Sequence, residues 1–154
     1  SYQDAYFTKL SRGNYPLSEV TALGAFLKGN ASPTDRLFVW SFEPELYYFS
    51  GLAPASRFIF NTPLLAGDIA ARWKAELMLQ LQAAPPAYIA VGRNDGLPLI
   101  TGGAYSSAER LIDVPGLIEF IDVNYEEAGA FGRFAVYKKR VYAGHFYQRA
   151  SHTR

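Results

Sequence analysis

The stretch that decides the fold runs from Arg36 to Phe60, RLFVWSFEPELYYFSGLAPASRFIF. Its opening residues, Arg36–Trp40, form a short, mostly apolar run after a turn, the pattern of a strand buried on both faces. Pro44-Glu45-Leu46-Tyr47 then reads as the first turn of a short helix. Proline suits that position because its missing N–H would be unpaired there anyway, and glutamate complements the exposed amides and the dipole. Gly51 ends this helix, and Arg57-Phe58-Ile59-Phe60 is a second apolar run, closed by Asn61-Thr62-Pro63. Between the two runs lie rings, two carboxyl groups, prolines and an arginine. The segment is therefore either a corner of the fold or a site.

Outward from it, Ser18 is the expected N-cap of a helix whose buried stripe is Val20, Leu23 and Leu27, closed by Gly29-Asn30. Asn30-Ala31-Ser32 has the form of a glycosylation acceptor, but its turn setting before Pro33 reads as a plain loop. From Leu65 to Gln82, Ile69, Trp73, Leu77 and Leu81 recur every four residues and mark the clearest helix. Pro85-Pro86 stops it, and Ala87–Val91 is the third apolar run. A loop follows, with a turn at Asn94-Asp95-Gly96, a flexible Thr101-Gly102-Gly103, and a capping box formed by Ser106 and Glu109. Pro115–Asn124 is a compact helix with Leu117, Ile118 and Ile121 on one side. Tyr125–Phe131 and Phe134–Lys139 flank Gly132-Arg133, a two-residue hairpin of the II′ kind. Tyr142, Phe146 and Tyr147 follow in the tail.

Strands and helices in alternation predict an α/β fold. The expectation is a Rossmann-like layered sandwich, with a mainly parallel central sheet and a C-terminal antiparallel hairpin. Residues 1–16 read as a lead-in, 17–140 as a single α/β domain, and 141–154 as a tail or extra edge strand. The 154 residues are long enough for a real core, and 49% hydrophobic against 19% charged residues exclude a disordered chain. With 11 Tyr and 11 Phe, the chain is rich in rings that fill a core or form amphipathic surfaces. A net charge of +1 provides no field for nucleic acid, and Lys138-Lys139-Arg140 reads as a solvated strand end. The lack of cysteine excludes disulfides and thiol chemistry. No apolar run approaches the ~20 residues that span a bilayer. The chain starts with Ser rather than Met, which suits a piece of a longer protein.

Few motifs carry chemistry. No GxGxxG or P-loop pattern occurs, and side chains of Ser41-Phe42-Glu43-Pro44 stand where a dinucleotide fold places its phosphates. Thr101-Gly102-Gly103 is a weak phosphate cradle. His145 and His152 share no face for a metal, and there is no GxSxG elbow. Glu43 and Glu45 remain, just past the carboxyl end of the first strand, where open α/β sheets place ligands. A carboxyl pair there suits acid/base work or a hydroxylated ligand. Helix-capping glutamates, with Arg57 paired to one of them, account for the same residues.

The succession Trp40, Pro44-Glu45-Leu46-Tyr47, Ser50-Gly51 and Pro54-Ala55-Ser56-Arg57-Phe58 resembles the soluble C-terminal domains of bacterial membrane glycosyltransferases of the GT-C class. These are related to dolichyl-phosphate-mannose protein mannosyltransferases and to the lipid A arabinose transferases. Asp35–Trp40 resembles the family's strand entry, and Ala84–Val91 resembles its next strand, with the paired prolines. Leu117–Tyr125, Gly132 and Val136-Tyr137-Lys138 resemble its closing helix and hairpin. The likeness covers most of residues 17–140, while Val141–Arg154 has no counterpart.

The resemblance implies a domain on the extracytoplasmic face of the membrane, seated on the transmembrane portion of a parent transferase that uses a polyprenyl-phosphate-linked sugar. Lipid-linked sugar, or a glycan or protein acceptor, would be its other partners. No cofactor in this domain, no metal and no nucleic acid are expected. The family's catalytic carboxylate lies on a loop beside membrane helices absent here, so no catalytic residue carries over. Trp40, Glu43, Glu45, Tyr47 and Arg57 stand as binding candidates. A stand-alone glycan- or protein-binding α/β module is the alternative. A small enzyme with Glu43 and Glu45 as its acid/base pair is the third reading.

Overall fold

A computed structural model describes residues 16–65, 69–98 and 103–141. Its centre is the pair β1 (Arg36–Trp40) and β3 (Tyr88–Gly92), two short apolar segments that run parallel, with Leu37 opposite Tyr88 and Trp40 opposite Val91. On the far side of β1 lies β2 (Ala53–Pro54), also parallel; on the far side of β3 lie β5 (Phe134–Lys139) and then β4 (Tyr125–Phe131), both antiparallel to their neighbours. The sheet order is β2-β1-β3-β5-β4. The α/β expectation holds, but the sheet is mixed, parallel at one end and antiparallel at the other.

The period-two alternation of β1 and β3 sends side chains to two cores. Phe38, Trp40, Ile89 and Val91 meet Leu77 and Leu81 of α3 (Ala70–Ala83) and Leu117 and Ile121 of α4 (Leu117–Asn124). Leu37, Val39, Tyr88 and Ala90 meet Val20, Leu23 and Leu27 of α1 (Leu17–Asn30) and Leu46 of α2 (Glu45–Ser50). Each fully buried Leu, Val or Phe contributes about 1.5–3 kcal/mol, so these two faces supply most of the folding drive. Where α1 and α2 cross, Gly24 admits Phe49: a Cβ at Gly24 would lie 2.5 Å from the Phe49 Cβ and 2.9 Å from its carbonyl carbon.

Several boundaries differ from the sequence expectations. The second strand is Ala53–Pro54 and not Arg57–Phe60. Residues 56–58 are instead held by side chains: Ser56 Oγ accepts from Phe58 N at 3.1 Å, and Gln80 Oε1 accepts from Ser56 Oγ at 2.8 Å. Those bonds turn the backbone away from a ladder. The first helix begins at Leu17 without a side-chain cap, so Ser18 lies in its first turn and Asn30 inside its last. The long helix begins at Ala70, and Ile69 is half-exposed rather than part of the buried stripe.

Other expectations hold. Gly51 ends α2 in the left-handed region at φ 70°. Gly132 has φ 55° and no non-glycine in the turn has positive φ, as a II′ hairpin requires. Ser106 and Glu109 form the capping box, with Ser106 N donating to Glu109 Oε2 at 2.8 Å. It opens a 3-10 turn at Glu109–Asp113. The residues His145, His152, Tyr142, Phe146, Tyr147, Thr101 and Gly102, together with residues 1–15, lie outside the described residues.

The Gly24 contact yields a first prediction. Ala is the better helix former by about 1 kcal/mol, so propensity alone would make Gly24→Ala stabilising. Overpacking against the Phe49 backbone opposes this, and the expected net result is a loss of about 1–3 kcal/mol in urea unfolding.

Candidate functional site

Chain order places a switch point at the carboxyl ends of β1 and β3. The chain leaves β1 through α2 to β2 on one side, then returns through α3 to β3 on the other. Open α/β sheets bind ligands in the crevice that such a reversal creates. Here the crevice is lined with buried polar residues: Ser41, Glu43, Asn61, Asp95 and Ser107.

They form one hydrogen-bonded layer. Asp95, delivered by the turn after β3, accepts from Ser107 N and from Ser107 Oγ, each at 2.6 Å. Asn61 Nδ2 donates to Ser107 Oγ at 2.6 Å, and Trp40 Nε1 donates to the Ser107 carbonyl at 2.6 Å. Ala108 N donates to the Gly92 carbonyl at 2.8 Å, and Asn61 N to the Ser41 carbonyl at 3.1 Å. Gly92 matters for its lack of a side chain: the Asp95 carboxyl occupies the space a Cβ would need. The loop ending in Ser107 is thereby pulled into the crevice, and Ser107 has no exposed surface. Ser107 thus packs against the carboxyl ends of β1 and β3.

The five candidate residues do not converge on an open site. Trp40 is fully buried and its indole N–H is spent on Ser107. The Tyr47 hydroxyl accepts from Val39 N at 3.0 Å, and burial pushes its phenol above the usual range. Both are fold devices that tie the corner to β1. Arg57 pairs with neither Glu43 nor Glu45. It grips Glu76 of α3, with Nη2 to Oε2 at 2.8 Å, and its guanidinium lies 4.3 Å from the centre of the Phe58 ring. The α3 carboxyl is nearer because residues 56–58 pack on that helix through Gln80.

Glu43 and Glu45 do sit at the crevice. Glu43 is only 7% exposed, and neither its Oε2 nor that of Glu45 has a hydrogen-bond donor among the described residues. Loss of water pushes the Glu43 carboxyl up from 4.5 to about 7; Asp95 and Glu45 push the same way, while Ser41 and Arg133 oppose them. Among the described residues no group of three His, Cys, Asp or Glu could hold a metal.

Asp95, Asn61 and Ser107 were not candidates in the sequence. Asn94-Asp95-Gly96 carries a turn signal, and the positive φ of Asn94 agrees with it, but nothing local points to Ser107. A separate cleft of about 470 Å³ opens between α3 and residues 113–115, lined by Leu65, Ala71, Lys74, Met78, Asp113 and Pro115. It is chiefly apolar, with Lys74 and Asp113 as its charged lining residues.

Two predictions follow from the layer. Asp95→Ala strips Ser107 of its acceptor and leaves buried donors unpaired, at an expected cost of roughly 2–4 kcal/mol in urea unfolding. Glu43 acts in the opposite sense. Because its folded pKa lies above the unfolded value, the native chain holds a proton that the unfolded chain has already lost. Stability should therefore fall as pH rises from about 4.5 to about 7, by ~3 kcal/mol, and stay level above. Glu43→Gln should abolish that slope and leave the protein more stable than wild type at pH 8.

No family model matches the chain, and no curated protein matches it. Among solved structures it is similar to the C-terminal globular domain of an oligosaccharyltransferase from Archaeoglobus fulgidus. The identity is 14% and the TM-score 0.43, over 79% of this chain and 96% of that one. No helix among the described residues is long and apolar enough to cross a membrane.

Proposed function

We propose that the chain is an extracytoplasmic, non-catalytic domain of a membrane glycosyltransferase of the GT-C class. The parent enzyme takes its sugar from a polyprenyl-phosphate carrier, and this domain steadies it or shapes its acceptor site. The observation that carries the non-catalytic role is the filled crevice: Ser107, Asp95, Asn61 and Trp40 close the position where an α/β enzyme of this topology would bind substrate. The GT-C assignment rests on the ordered motifs from Trp40 to Phe58 and from Ala84 to Lys138. Four residues of the first motif have packing or turning roles. Trp40 anchors the loop, Tyr47 caps Val39, Gly51 ends α2, and Ser56 pins the chain to α3.

Tyr48 is 82% exposed and this chain contributes no cysteine of its own, so maleimide labelling is read against the parent protein without the substitution. Tyr48→Cys is introduced into the parent protein and intact cells are treated with a membrane-impermeant maleimide. The expected result is labelling without lysis, together with a coding region that specifies several apolar spans of about 20 residues. Labelling only after lysis, or a coding region with no spans, overturns the proposal. Turnover of glycosides by the purified domain would overturn its non-catalytic part.

A further inference from the structure

Three other segments bring charge to Glu43. Glu45 stands at the start of α2, Asp95 follows β3, and Arg133 lies in the β4–β5 turn; Ser41, on the same loop as Glu43, adds a hydroxyl. Arg133 also answers to α1. Its backbone N–H donates to Glu19 Oε2 at 2.8 Å, and its Nε lies 3.3 Å from the same oxygen. The Glu19 carboxyl occupies the space that a side chain at Gly132 would need, so the hairpin tip is moulded around it. The Arg133 carbonyl accepts from Arg93 N at 2.6 Å, which fastens the tip to the end of β3 as well. Glu43 and Glu19 thus act on one guanidinium from opposite elements.

We propose that Glu43 is a proton-controlled latch on the hairpin tip: while it holds its proton Arg133 stays with Glu19, and when it ionises it draws Arg133 away and loosens the tip from α1. Two physical arguments support this. A neutral carboxyl sits in a dry pocket without the desolvation cost of a charge, whereas an ionised one leaves a bare Oε2 that needs a cation. Asp95 and Glu45 disfavour the new charge, and Arg133, held at 3.3 Å from Glu19, is the cation whose field favours it. With the carboxyl pushed to about 7, the change falls near neutrality, where an unperturbed glutamate is already ionised.

Amide hydrogen exchange, followed residue by residue at pH 5.5 and pH 8.5 and corrected for intrinsic rates, tests the latch. Protection of the Arg133 and Arg93 amides should fall between the two at least about tenfold further than that of Ile89 and Val91 in the core, which lose only what the drop in global stability takes from them. Glu43→Gln should hold the tip protected at both values, and Glu19→Gln should lower its protection at both. Tip protection that falls no further than that of the core overturns the proposal, as does an unaltered pH response of the tip in Glu43→Gln. The wild-type carboxyl is read directly by carbon-13 titration: a midpoint near 7 supports the latch, and one near 4.5 overturns it.

Discussion

The bond pair between Asp95 and Ser107 is the constraint on which the rest depends. Two donors of one buried residue, its N–H and its O–H, close on one carboxyl group at 2.6 Å each. That closure anchors the loop after β3, brings the Ser107 carbonyl to the Trp40 indole, and places the hydroxyl under Asn61. Polar groups removed from water are costly unless paired: these bonds satisfy Asp95, Ser107 and the Trp40 indole, while Glu43 Oε2 and Asn61 Oδ1 stay without a partner among the described residues. Both hydrophobic cores lie below it, divided by the sheet.

Much of the fold was legible from local signals. β1 and β3 are continuous apolar runs because helices cover both faces, and the paired prolines stop α3 where expected. The capping box could be read because Ser106 and Glu109 are three residues apart, and the hairpin because its turn is a glycine with one neighbour. β2 escaped notice because two residues ending in proline make no pattern. Arg57–Phe60 imitated a strand through its apolar content, yet Phe58 is buried while Ile59 is 39% exposed, and Ser56 with Gln80 decides the backbone there.

The site was legible only in part. Glu43 and Glu45 were found from their position after β1, a rule about sheet ends that needs no contact information. The residues that close the crevice pair across 12, 46 and 67 positions of sequence, and no local pattern encodes such distances. Trp40, Tyr47 and Arg57 look like recognition residues in sequence because aromatic and guanidinium groups suit ligands. Here each is held by a partner within the fold: Trp40 by Ser107, Tyr47 by Val39, Arg57 by Glu76. The same chemistry that binds ligands also turns corners, and only the partners distinguish the two uses.

The central claim is that the crevice at the ends of β1 and β3 is closed by the chain itself. The most direct measurement is native-state exchange of the Ser107 and Ala108 amides, which donate to Asp95 and to the Gly92 carbonyl. Closure predicts that both exchange as slowly as the amides of β3, by global unfolding alone. Exchange at the rate of an exposed loop would mean that the crevice opens in the native protein, which would contradict the account and return the site to the enzymes.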